Sequence, residues 1–251
     1  MQIIEQSLTP KSPQRKSEDG IIVTPDFIAV IDGSTSKSSR RYSLFNSNGR
    51  LAMLRVARAL RHASKDISLQ QFCKEATIAL RRKYRQRNMP HLTEHPEDRL
   101  AASAVIFSRV RRELWLIGDC QCLINGELYD NPKPDESLLA NMRAAEVRRL
   151  LDTGVTVQQL LTEDTARPII IPTMKQCMKK QNVTYSVIDG FPIPLQCVRQ
   201  IPLTFAPFEL VLASDGYPSS CPPSPNRKPL SNVSAWKTRS TSDASKPQKP
   251  L

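Results

Sequence analysis

Apolar positions in this chain change period several times, and each change marks an element. Ile21-Ile22-Val23 and Phe27-Ile28-Ala29-Val30-Ile31 are short β-branched runs on either side of Thr24-Pro25-Asp26. Pro and Asp favour the turn and the flanking runs favour strands, so Gly20 to Asp32 predicts a hairpin. A Ser/Thr/Lys/Arg-rich loop follows, to about Gly49. The period then lengthens: Met53, Val56, Ala57 and Leu60 recur at helical spacing and define one stripe. Ser68 predicts the N-cap of a second helix, with Phe72, Ala76, Ala79 and Leu80 on its apolar face and an end in Arg81, Arg82, Lys83, Arg85 and Arg87. Residues 88–98, with their prolines, predict a connection.

From Ala101 the short period returns. Ala102 to Ser108 and Glu113 to Ile117 read as strands around a charged turn, and Cys120 to Ile124 leads into Asn125-Gly126. Asn-Gly supplies the positive φ angles of a two-residue hairpin turn, so these pieces predict an antiparallel meander. Residues 135–162 return to helix, with Leu138, Leu139, Met142, Val147, Leu150 and Leu151 as the main apolar positions. A basic helical stretch around Met174 to Lys180 and strands at Thr184 to Ile188 and Gln196 to Ile201 are predicted next. Phe208 to Ala213 has the pattern of a buried strand.

Composition sets the boundaries. Residues 1–16, rich in Ser, Pro, Gln and Lys, predict a flexible approach. After Tyr217 the chain turns to Pro, Ser, Lys and Arg, which bury too little apolar surface to offset ordering entropy, so 218–251 predicts a disordered basic tail. One packed domain over 17–217 remains. No apolar run approaches a membrane span and the N-terminus has no signal-peptide core, so a soluble, cytoplasmic protein is expected. The six cysteines do not form a disulfide framework, and Cys120-x-Cys122 with His62, His91 and His95 fits no zinc spacing. The net charge of +12 suggests nucleic acid, but no aromatic-rich strand or recognition motif accompanies it.

Chemistry concentrates at strand ends. Three apolar strands end in a carboxylate beside glycine: Asp32-Gly33, Gly118-Asp119 and Asp215-Gly216. The acidic pair Glu18-Asp19 precedes the first strand. Carboxylates at strand ends can converge on one rim of a sheet, and such a set of hard oxygen ligands suits Mg²⁺ or Mn²⁺. A single Asp-Gly is more often a turn dipeptide. The ordered set is more specific.

The series Ser17-Glu18-Asp19, Ala29-Val30-Ile31-Asp32-Gly33-Ser34, Leu116-Ile117-Gly118-Asp119-Cys120 and Leu212-Ala213-Ser214-Asp215-Gly216 resembles the metal-dependent serine/threonine phosphatases of the PPM (type 2C) family. The resemblance spans about residues 17–217. It implies an α+β fold, a four-layer αββα sandwich of two antiparallel sheets flanked by helices. The helices of residues 51–87 would form one outer layer and those of 137–161 part of the other. It further implies that Asp32 bridges two Mg²⁺ or Mn²⁺ ions, with the Gly33 carbonyl on one of them. Glu18 and Asp215 would contribute to the same pair, Asp19 would assist, and Asp119 would help hold a weaker third ion. The implied reaction is hydrolysis of phosphoserine or phosphothreonine in a protein by a metal-activated water, by a monomer and with no covalent enzyme intermediate.

Three departures accompany the likeness. Arg15 is the candidate for the family's phosphate-gripping arginine, but it lies one place closer to the acidic pair than the usual spacing. Ser34-Thr35-Ser36 stands where eukaryotic members have His-Gly-Gly, which makes the chain bacterial-like and leaves no histidine to act as an acid. The family's final strand and last metal-binding Asp are expected to be missing, since Ser219 to Leu251 offers only Asp243. Two rival readings follow: a catalytically impaired pseudophosphatase that acts as a binding module, and a basic nucleic-acid-associated protein.

Overall fold

The computed structural model describes residues 2–8, 10, 16–205 and 207–215, together with the backbone of 235–239. Its centre is a five-stranded antiparallel sheet. The hairpin of β2 (Gly20–Val23) and β3 (Phe27–Gly33) turns at Thr24, whose amide reaches the Phe27 carbonyl at 2.8 Å. β4 (Ala102–Ser108), β5 (Glu113–Ile117) and β8 (Arg199–Pro202) complete the order β2-β3-β4-β5-β8. Strands β3 to β5 are buried on both faces, which is why their sequences are continuously apolar rather than alternating.

One face takes Phe27, Ala29, Ile31, Ala104, Ile106, Trp115 and Ile117 against two helices, α1 (Asn48–His62) and α2 (Leu69–Arg81). Ser47 caps α1 and Ser68 caps α2, each side chain accepting from the backbone amide of the third residue of its helix. The fully buried Trp115 stacks on Phe72 of α2 with ring centroids 5.9 Å apart. Truncating such a side chain to Ala costs about 3–5 kcal/mol.

The opposite face carries Ile28, Val30, Val105, Phe107, Leu114 and Leu116, packed on Cys120, Cys122, Phe208, Leu210 and Leu212 of a second antiparallel sheet. That sheet has the order β1-β10-β9-β6-β7, formed by β1 (Gln2–Ser7), β6 (Gln121–Ile124), β7 (Glu127–Tyr129), β9 (Glu209–Ala213) and β10 (Ala235–Arg239). Asn125 and Gly126 make the β6–β7 turn with φ of 51° and 87°, as their sequence predicts.

Two of these strands fall in segments expected to lie outside the packed domain. β1 lies within 1–16, and β10 lies within 218–251 and covers the edge of β9 that a missing final strand would have left open. The physical reason is that sheet pairing uses backbone groups, so a short stretch without an apolar pattern can still complete an edge.

Four expectations for individual helices and strands are corrected. α2 stops at Arg81, because the Tyr84 hydroxyl pulls the chain inward by bonding the Leu100 amide at 2.8 Å and the Asp189 carbonyl at 2.6 Å. Residues 184–188 make only isolated bridges, Ala102 to Ile188 and Gln181 to Tyr185. α4 (Glu136–Asp152) has no buried residue and packs against α6 (Arg167–Met178), with the short α5 (Val157–Thr162) between them in sequence. Its apolar positions are spread around the helix, so they form no single stripe for a sheet to cover. A sixth helix, α3 (Met89–Glu94), lies in the predicted connection.

Candidate metal centre

Strand pairing gathers the acidic residues at one end of the sandwich. Gly20 pairs with Ile31, so Glu18 and Asp19 lie beside the end of β3, where the Gly33 amide donates to the Glu18 carbonyl at 3.2 Å. Asp32 pairs with Ser103 of β4, whose hydroxyl donates to Asp119 at 2.5 Å. In the second sheet Gln121 pairs with Ala213, which brings Ser214-Asp215 alongside Asp119-Cys120. The Ser214 hydroxyl then reaches across to Asp19 at 3.4 Å and links the two sheets.

Glycines permit the close approaches. A Cβ on Gly33 would strike the Gly49 carbonyl, and one on Gly49 would strike the Gly33 carbonyl and the Glu18 carboxyl carbon. The start of α1 therefore sits directly on the β3 terminus. There Glu18 accepts from the Thr35 and Ser47 hydroxyls, both at 2.5 Å. Thr35 thus holds a carboxylate.

The electrostatics fit a site built for positive charge. Burial, together with the charges of Asp32 and Asp119 and a hydrogen bond with Asp32, raises the Asp215 carboxyl from 3.8 to about 7. Burial also raises Asp119, but the Lys133 ammonium and the Ser103 hydroxyl outweigh it and bring that carboxyl below its ordinary value. Lys133 forms an ion pair with Asp119 Oδ2. The Cys120 thiol is pushed well up by burial and by Asp32, Asp119, Asp215 and Asp19, which leaves it inert.

Asp119, Asp215 and Glu136 each offer an oxygen within 4.8 Å of the others. Glu136 and Lys133 escaped the sequence reading. An acid in the first turn of α4 is accounted for by the helix dipole, and a lone lysine in a Pro-containing loop carries no signal. The carboxylates open on a cleft of about 330 Å³ whose lining includes Asp32, Asp119 and Asp215 with Lys37, Lys133 and Arg167. Glu18 meets the cleft through Thr35, which lines it, and Asp19 bonds Ser214, the residue before Asp215. Arg15, Gly216 and Asp243 lie outside the described residues.

No protein-family model matches the chain, nor does any curated protein. Solved structures are similar to it. A bacterial serine phosphatase is 15% identical, with 97% of this chain and 98% of that chain covered and a TM-score of 0.49. The catalytic domain of the serine/threonine protein phosphatase PstP, in complex with two manganese ions, is 16% identical over 86% of this chain and 78% of that one, with a TM-score of 0.42. The PPM Ser-Thr phosphatase MsPP from Mycobacterium smegmatis, in complex with cacodylate, is 14% identical over 84% and 76%, with a TM-score of 0.40. These three neighbours are a serine phosphatase and two serine/threonine phosphatases, MsPP being a member of the family that the motifs resemble.

Proposed function

We propose that this chain is a metal-dependent phosphatase acting on phosphoserine or phosphothreonine in proteins. The observation that carries the reading is the convergence of Asp32, Asp119 and Asp215, with Glu18 and Asp19 behind them, at one end of the two sheets. Loss of water in the cleft, with the neighbouring charges of Asp32 and Asp119, raises Asp215 to about 7, and a bound cation relieves that cost. The donor set is all oxygen, which suits Mg²⁺ or Mn²⁺ over softer metals.

In this reading Asp32, Asp215, Glu18 and the Gly33 carbonyl hold two ions, with Asp19 assisting and Asp119 serving a weaker third. When bound, such ions acidify a coordinated water and offset charge on a phosphoryl group. The chain's own residues do the rest. Thr35 and Ser47 fix the Glu18 carboxylate by two short hydrogen bonds, so it need not reorganise when a cation arrives. Lys37 and Arg167 line the cleft and orient phosphate oxygens there. Arg15, expected in that role, belongs to the same proposal.

Hydrolysis of a small aryl phosphate with Mn²⁺, compared between this chain and Asp32→Asn, tests the proposal. Activity lost in the variant supports it, and a folded protein with no activity sinks it. The pseudophosphatase reading draws on one observation: Lys133 already neutralises Asp119, so a third ion there must displace an ammonium. Absence of turnover alongside retained Mn²⁺ binding would favour that reading.

A further inference from the structure

We propose that a basic groove beside the metal centre docks an acidic segment of the protein substrate, one rich in carboxylates. The proposal rests on the phosphatase reading and adds to it a second recognition surface. The groove, of about 470 Å³, is lined by Arg40, Arg41, Arg82, Lys83 and Arg85 with Tyr42 and Asn88. Five of its seven lining residues are cationic and none is acidic.

The cations are held by a frame rather than a loose tail. Tyr84, tied by its hydroxyl to Leu100 and Asp189, turns the chain after α2. Tyr42 packs on Tyr84 with ring centroids 5.3 Å apart, and its hydroxyl donates to the Asp98 carbonyl at 2.7 Å. The two arms of the groove are thereby joined by their aromatic rings. Arg40 is ion-paired with Asp98 at 3.2 Å. Among the described residues, Arg41, Arg82, Lys83 and Arg85 have no such partner. Guanidinium forks arranged in this way match carboxylate and phosphate geometry.

The groove leads to the site. Arg40 and Arg41 also line the neighbouring cleft, whose wall includes Glu18 and Thr35. On the same cleft Leu44 and Phe45 are 92% and 93% exposed. A peptide with acidic residues in the groove and apolar ones against Leu44 and Phe45 complements both surfaces. Nucleic acid is disfavoured, because the aromatic ring in the groove, Tyr42, is already packed on Tyr84 and tied to Asp98 instead of standing free for a base to stack on.

Fluorescence anisotropy with the full chain tests this, using a labelled phosphothreonine peptide rich in Glu and Leu and a control with Gln for Glu. The triple variant Arg41→Ala, Arg82→Ala, Arg85→Ala is expected to bind the acidic peptide at least about tenfold more weakly. The same variant keeps the parent's hydrolysis of a small aryl phosphate and its circular dichroism. Equal binding by parent and variant, or by the acidic and Gln peptides, overturns the proposal. So does an oligonucleotide of matched charge that binds more tightly than the peptide and is lost in the variant. If the parent hydrolyses no aryl phosphate, the phosphatase reading fails. A peptide affinity that depends on the three arginines still sustains the groove in that case.

Discussion

The ammonium of Lys133 lies against the carboxylate of Asp119, so the cluster contains a cation of its own. Asp119 is almost fully buried while Lys133 is partly open to solvent, its side chain being 36% exposed. The pair therefore falls between an exposed and a buried ion pair, and removing the cation from the metal-free protein should cost about 1–3 kcal/mol. Lys133→Met is expected to lower the melting temperature without metal and to recover when Mn²⁺ is added. Calorimetry should show tighter or additional Mn²⁺ binding in the variant. An unchanged melting temperature and isotherm would mean that the pair contributes nothing.

Asp215 sets a pH dependence. Although the residue is open to the cleft, its carboxyl is raised from 3.8 to about 7 in the folded protein, first by loss of surrounding water and then by Asp32 and Asp119. A raised acid favours its protonated form in the fold. The stability it contributes is complete below about pH 4 and is lost as pH rises to about 7. Metal-free protein should thus become easier to unfold in urea across that window, and Asp215→Asn, which stays neutral, should flatten the slope. Mn²⁺ binding should strengthen over the same range with release of a proton, measurable by calorimetry in buffers of different ionisation enthalpy. Parallel slopes for the parent and Asp215→Asn would reject the assignment.

A fourth Asp-Gly shows what the dipeptide alone is worth. Asp189-Gly190 follows the apolar Val187-Ile188, yet Asp189 takes a structural part. Its buried carboxylate accepts from Arg99, Gln181 and Asn182, each at 2.8 Å, and from the Phe191 amide at 2.9 Å. Burial raises its pKa, opposed by Arg99. Arg99→Met should cost about 3–5 kcal/mol by stranding a buried charge. Mn²⁺ affinity, measured below the melting temperature, should not change. A variant that unfolds normally but loses metal would move Asp189 into the site.

That comparison shows how far the sequence could be read. The hairpin of Gly20 to Gly33 and the Asn125-Gly126 turn were legible because local residues alone decide them. The carboxylates at Asp32, Asp119 and Asp215 were legible because strand ends meet by pairing, and the strands were written in apolar runs. Asp189 could not be told from them, since its partner Arg99 lies 90 residues away. Glu136 and Lys133 come from a loop and helix start that only tertiary packing places over the cleft. β1 and β10 pair through backbone groups, which leave no side-chain pattern to find.

The contact between Gly33 and Gly49 gives the last prediction. Each glycine faces the other's carbonyl, so the end of β3 and the head of α1 approach without any Cβ between them. Gly33→Ala places a methyl group against backbone, which cannot swing aside as a side chain would. Overpacking of this kind costs about 1–3 kcal/mol. The strain should also separate α1 from β3 and loosen the hydrogen bonds that Ser47 and Thr35 donate to Glu18. Gly33→Ala is therefore expected to lower both the melting temperature and the Mn²⁺ affinity. An Ala substitution at Gly126, where a Cβ would meet nothing, is the control: its φ of 87° strains the turn but leaves the centre untouched. If both variants lose stability and only Gly33→Ala loses metal, the close approach of strand and helix is what shapes the Glu18 side of the centre. Equal Mn²⁺ affinity in both would detach Glu18 and the Gly33 carbonyl from the ion-binding role.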